Sequence, residues 1–240
     1  MIITIDGPVA SGKTTISRAV AERLGFKVLQ TSLFYRAAAY LILEELELLS
    51  CTDSFLIDER IRVFCDALTA QKTALFDRIV YGYRADARFP FVSIDGDDKT
   101  ILIQTSFFDM PASIASSFAI VRDYLLDLQR DVALKYDIVA EGRDCGTVLF
   151  LRAEYKFYLD ASLDVRVSRY QSDAKRAGAR PTDEIVAEIK QRDQQDISRA
   201  IAPLRRADDA ILIDSSGMST AEVIDFICKK VQSICQKQPQ

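Results

Sequence analysis

The 240-residue sequence predicts an α/β fold, a parallel sheet with helices on both faces. Three observations carry this. Short apolar, β-branched runs alternate with longer amphipathic segments along most of the chain. The first run leads into a glycine-bounded loop and then directly into a helix. One Asp-Gly turn signal near the middle breaks the alternation and marks a small inserted unit.

Residues 1–5 read as a buried parallel strand ending at Asp6-Gly7. From Thr14 the period becomes helical. Ile16, Ala19, Val20 and Leu24 share one face, and Gly25 supplies a stop. Residues 27–30 form a second strand. Residues 33–49 predict a helix with Glu44, Glu45 and Glu47 on its wetter side. Residues 89–94 and 99–104 are β-like, and Asp95-Gly96 between them predicts a hairpin. The expected organisation is a core of residues 1–58 and 111–240 with an inserted domain at 59–110. Further expected elements are a helix over 113–136 and strands at 137–140 and 155–159. Helices over 163–177 and 183–200, a strand at 210–213 and a helix over 220–236 complete the pattern.

Composition narrows the functional classes. Apolar residues make up 49% and charged residues 28%, which is globular and excludes a disordered or collagen-like chain. Net charge is −4, so nucleic acid is not the expected partner. Eight arginines nevertheless lie between Arg166 and Arg206, so a small anionic ligand fits. The chain has no His, which excludes serine–histidine triads, histidine bases and most zinc sites. Its five cysteines are odd in number and lack a CxxC pair, as free thiols in a reducing compartment would be. No apolar run reaches the ~18 residues of a membrane span, and residues 1–6 carry no basic leader. A cytoplasmic monomer without membrane or nucleic-acid partners is expected.

Gly7-Pro8-Val9-Ala10-Ser11-Gly12-Lys13-Thr14 matches GxxxxGK[ST] in full, with a strand before it and a helix after it. Such a loop cradles phosphate oxygens on its backbone N–H groups. Lys13 would reach the β- and γ-phosphates, and the Thr14 hydroxyl would ligate Mg²⁺. This points to a nucleoside triphosphate but not to a particular reaction.

Three further clusters bear on the acceptor. Tyr35-Arg36 follows the second strand, where the Arg fork can hold an anion; alternatively Arg36 is exposed at a helix start. Glu141-Gly142-Arg143-Asp144 follows a buried strand, at the carboxyl end where α/β ligands bind; a charged turn with a local Arg–Asp pair fits the same residues. Arg192, Asp196 and Arg199, at offsets of four and three, share one helix face, with the arginines about 10.5 Å apart. An exposed ladder with Glu188 is the competing reading. A basic stretch from Arg166 to Arg180 would close as an arm over polyphosphate or stand as a solvated helix. Together these clusters suit transfer between two phosphate-bearing ligands, a reaction needing positioning and charge cancellation rather than histidine.

In this combination the sequence resembles the bacterial cytidylate kinases, a nucleoside monophosphate kinase family. The resemblance rests on the loop up to Thr15, Tyr35-Arg36, residues 141–148, residues 187–193 and residues 198–204, and spans nearly the whole chain in order. It implies a P-loop kinase fold with a parallel five-stranded core sheet, an inserted monophosphate-binding domain and an arginine-rich lid at about 163–182. Residues 7–15 and Arg169 would hold ATP. Tyr35, Arg36, Arg143 and Arg192 would bind the monophosphate, while Ser113, Arg122 and Asp144 would read the cytosine edge. Asp196 would hold the sugar, with Lys13, Arg143, Arg192 and Arg199 around the transferring group and Mg²⁺ accompanying ATP.

The family usually has Asp-Thr-Gly where this chain has Gln30-Thr31-Ser32, adjacent lid arginines where it has Arg169-Tyr170, and Asp where it has Glu141. The expected reaction is ATP-dependent phosphorylation of CMP and dCMP by direct in-line transfer. Two rivals use the same loop, a kinase for another small acceptor and a nucleotide-switch binding protein. The second leaves the downstream arginines without a role.

Overall fold

The computed structural model describes residues 1–85, 87–172 and 181–235. Five parallel strands run in the order β2-β6-β1-β7-β8: β1 (Ile2–Asp6), β2 (Lys27–Gln30), β6 (Ile138–Gly142), β7 (Tyr155–Asp160) and β8 (Ile211–Asp214). On one face, α1 (Lys13–Leu24) and α8 (Thr220–Cys235) cover Ile3, Ile5, Phe157 and Ile213. On the other, α2 (Thr31–Glu45), α3 (Ser54–Asp66), α4 (Asp109–Ala115) and α5 (Ala119–Lys135) close over Leu29, Ile138 and Ala140. Asp6 is level with Gly142 on β6 and Tyr158 on β7. The phosphate loop therefore leaves the central strand beside the loop that follows β6, where strand order reverses and α/β sheets bind ligands.

The predicted helix over 33–49 begins earlier and ends at Glu45. Glu47 adopts a left-handed φ of 57°, so the acidic residues lie at the end of α2 and do not line one side of it. Leu33 to Leu43 are buried all round, because the middle of the chain folds over them.

That middle region differs most from expectation. The Asp95-Gly96 turn is present, with φ of 53° and 86°, as a type I′ turn requires. Its second arm, β5, is only Asp97–Asp98. The run at 99–104 instead turns helically and uses Ile103 alone as a core anchor, leaving Ile101 exposed. The main partner of β4 (Pro90–Ile94) is β3 (Ile79–Tyr83), which the sequence pattern did not single out. The Tyr81 and Tyr83 hydroxyls donate to the Val28 carbonyl on edge strand β2, and Tyr81 also accepts from the Gln30 amide at 3.0 Å. The small sheet thus satisfies part of an edge that would otherwise be open. One hydrophobic cluster runs from Leu29 through Phe76 and Val92 to Ala140.

The predicted helix over 113–136 is two helices. Ser116 and Ser117 donate to the Ser113 and Ile114 carbonyls at 2.8 and 2.7 Å, and Phe118 is extended. The break places Arg122 in the first turn of α5. Further on, α6 (Leu163–Ser172) and α7 (Thr182–Ser198) pack on each other through Val167, Tyr170, Ile185 and Ile189. The rest of the expected lid, 173–180, lies outside the described residues.

Candidate active site

The loop conformation explains its two signature glycines. A Cβ on Gly7 would stand 2.0 Å from the Leu159 carbonyl oxygen, and Gly12 has a φ of +96°. Neither position accepts an ordinary side chain without distortion. Lys13 opens α1 and is buried. Its ammonium donates to the Pro8 carbonyl at 2.6 Å and to Ser11 Oγ at 3.3 Å. Burial and the nearby Arg143 charge push the Lys13 ammonium well below its usual range, against the pull of Glu141, Asp196 and Asp6. An anion beside it would restore the charged form.

Thr14 Oγ1 lies 2.9 and 3.0 Å from the two Glu141 carboxylate oxygens. Burial raises the Glu141 carboxyl, and Lys13, Thr14 and Arg143 counter it. Behind the loop, Asp6 accepts the Cys145 and Gly146 amides at 2.9 and 2.8 Å. Burial nevertheless raises its carboxyl to about 6, outweighing those two bonds.

A cleft of about 670 Å³ runs along residues 9–16 and past Arg169, Glu141 and Arg143. A smaller pocket of about 90 Å³ lies on its acceptor side, lined by Tyr35, Ser113, Asp144, Asp196 and Arg199. Arg36, Arg143 and Arg192 line both, so three guanidinium groups from three separate elements meet where the cavities join.

Each of these arginines has an acidic or carbonyl partner. Arg36 is buried, donates to the Ile103 and Thr105 carbonyls at 2.9 and 3.0 Å and pairs with Asp109 Oδ1. Arg192 stands 3.2 Å from Asp109 Oδ2. Asp109 therefore bridges two arginines, a role with no sequence signal, since it lies 73 residues from Arg36. Arg143 Nε donates to Asp196 Oδ2 at 2.7 Å. Burial opposes the Asp196 charge, but Arg143, Arg199 and Arg192 outweigh it and hold the carboxyl below its usual range.

On the base side, Asp144 Oδ2 pairs with Arg122, and Arg199 Nη2 lies 3.5 Å from Oδ1. Arg122 lines neither cavity. It is 1% exposed, behind Asp144, donating to the Ser116 carbonyl at 3.2 Å and lying 5.3 Å from the Tyr35 ring centroid. Ser113 Oγ is 3.5 Å from Gln195 Oε1. Gly7 and Pro8 likewise shape the loop without lining the cleft.

The expected lid arginines are already engaged. Arg166 donates to the Val9 carbonyl, and Arg169 to the Ser11 carbonyl and to Ser215. Tyr170 serves the packing between α6 and α7 and donates to Glu188. The solvated-helix reading of this stretch does not hold for Arg166 and Arg169. Those charges already have partners on the phosphate loop, on α7 and beyond β8.

A phosphate loop at the switch point of a parallel sheet, joined through three arginines to a second polar pocket, defines a P-loop phosphotransferase with a phosphate-bearing acceptor. Residues 3–233 match the family model described as cytidylate kinase. Cytidylate kinase from Thermotoga maritima is 37% identical over 231 residues, covering 96% of each chain. That from Geobacter sulfurreducens is 36% identical over 237 residues, covering 94% of this chain and 90% of its own. That from Streptococcus suis is 33% identical over 236 residues, covering 98% of each. The chain belongs to the cytidylate kinase family and is a phosphotransferase; ATP-dependent phosphorylation of CMP is the reaction of that family.

Proposed function

We propose that the protein transfers the γ-phosphoryl group of ATP in line to CMP or dCMP, and that the residues grouped in the two cavities do this work. The observation that carries the reading is the junction of the cavities at Arg36, Arg143 and Arg192. Phosphoryl transfer spreads charge over the moving group's oxygens, and fixed cations at that point stabilise it with no nucleophile from the protein. ATP would lie along residues 7–15 with Lys13 toward its β- and γ-phosphates and Arg169 at the side. The monophosphate would exchange places with Asp109 on Arg36 and Arg192, and Arg143 and Arg199 would flank the transferring group. Asp196 would face the sugar. Asp144 would accept the cytosine amino group, with Tyr35 and Ser113 beside the base and Arg122 holding Asp144 from behind.

Mg²⁺ fits the donor set, because the Thr14 hydroxyl and Glu141 carboxylate are hard oxygen ligands within 3.0 Å of each other. Thr14 and Glu141 would hold the ion there, and it would supply positive charge against the ATP phosphates. The inserted unit at 59–110 would supply the wall of the monophosphate site through Ile103 and Thr105. Free Cys51, Cys65, Cys145 and Cys228 support a reducing, cytoplasmic setting, and among the described residues no helix is long and apolar enough to cross a membrane. We expect a monomer without nucleic-acid partners.

The test is ADP release from ATP and Mg²⁺ with a panel of nucleoside monophosphates. CMP and dCMP should be used best. Uracil would set a carbonyl oxygen against Asp144 and leave two acceptors unpaired, so UMP should be poorer. Better turnover of AMP than of CMP would overturn the assignment.

A further inference from the structure

Helix α7 carries Arg192 and Asp193 side by side, and they serve different sites. Arg192 reaches the acceptor side through Asp109, at 3.2 Å. Asp193 reaches the phosphate loop, where its Oδ1 accepts the Val9 amide at 3.1 Å. Its Oδ2 is held by Arg166 Nη1 at 2.5 Å, and the same nitrogen donates to the Val9 carbonyl at 3.1 Å. One ion pair thus takes both backbone polar groups of Val9. The pair is well enclosed, with side chains 11% and 15% exposed. The Val9 side chain packs into the cluster that joins α6 to α7.

The loop needs such support. Just beyond Val9, Ala10 has a φ of 59° and Gly12 one of 96°. A non-glycine residue holds that conformation only where its surroundings over-determine it. Pinning the Val9 amide and carbonyl sets the path of the following peptides, whose N–H groups must turn toward phosphate.

We infer that Asp193, held by Arg166, is a positioning residue that fixes the phosphate loop from the same helical turn that presents Arg192 to the acceptor. One turn of α7 then sets both substrate sites. This rests on the proposed placement of ATP at residues 7–15 and of the monophosphate at Arg36 and Arg192. An acceptor that engages Arg192 orders that turn and, through Asp193, orders Val9. A nucleotide that selects the pinned loop favours the same placement of α7. Such linkage is reciprocal, so each ligand tightens the other by one common factor, on the order of tenfold.

The test is calorimetric titration with CMP and with a non-hydrolysable ATP analogue, each alone and each with the other saturating. Wild type, Asp193→Asn and Asp193→Ala are compared, with thermal melts alongside. Alanine removes both bonds of Asp193. Asparagine keeps an oxygen for the Val9 amide and loses the charge that holds Arg166. The expected result is mutual tightening in wild type, a common factor near one in Asp193→Ala and an intermediate factor in Asp193→Asn. CMP alone should bind all three proteins alike, because Arg192 is intact, and KM for ATP should rise in the alanine variant. If Asp193→Ala does not fold, the asparagine variant reads the same factor. Full coupling in a folded variant, or equal weakening of both ligands with the factor unchanged, would show an ordinary structural ion pair and overturn the inference alone. A wild type that turns over no CMP would overturn the functional reading, and this inference with it.

Discussion

Replacing Asp144 by alanine should cost the protein stability as well as base preference. Arg122, the largest fully buried side chain among the described residues, keeps its charge out of water with Asp144 as its ion-pair partner. Removing one partner of a buried pair typically costs about 3–5 kcal/mol, because the other charge is left uncompensated. Here the Ser116 carbonyl and the Tyr35 ring stay beside Arg122, which argues for the lower end, about 3 kcal/mol. For a chain of this length each kcal/mol moves the melting temperature by about 2–4 °C, so a fall of roughly 6–12 °C is expected. Arg122→Met should cost less. It removes the buried charge itself and leaves Asp144 facing Arg199 at the pocket. The assay is thermal melting of the ligand-free proteins, with CMP and UMP turnover compared well below both melting points. There the CMP preference should narrow in Asp144→Ala. A shift of less than about 2 °C would refute the reasoning, since Arg122 would then be finding compensation without the carboxylate.

Lys13→Ala should leave the fold intact, since among the described residues the side chain bonds only within its own loop, and should lower turnover by roughly 10²-fold or more, the scale of one lost preorganised donor. Near-normal turnover would sink the phosphate-loop reading. Asp6 should titrate near pH 6, well above its unfolded value of 3.8, read from its carboxyl carbon by NMR. A raised folded value means that its contribution to stability is fully present below about pH 4. It is lost as pH rises through 6, to about 3 kcal/mol, opposite in sign to a salt-bridged carboxylate. A midpoint at or below 4 would show that the Cys145 and Gly146 amides outweigh burial.

Much of the core was legible in the sequence because local rules dictate it. The five strands lie within a few residues of the predicted runs, since the central β1 and β6 carry short apolar, β-branched stretches that are buried almost throughout, and the outer strands, though half-buried in part, keep an apolar centre. The phosphate loop was legible for the same kind of reason: only glycine fits at the Leu159 carbonyl and at the left-handed turn before Lys13. Even Arg36, Arg143, Arg192 and Arg199 could be singled out, because motif residues stand at fixed offsets from strand ends or along one helix face.

The tertiary structure decided which groups answer one another across the chain. The pattern did not mark β3 as the partner of β4, because strand pairing depends on where the chain returns and not on local alternation. No spacing rule joins Asp109 to Arg36 and Arg192, Asp193 to Val9, or Arg122 to Asp144. Sequence alone left Arg36, Arg192 and Arg199 open to an exposed-surface reading. Burial removes that choice, because a charge without water must find an opposite charge or a carbonyl, and only the folded chain determines which one is within reach.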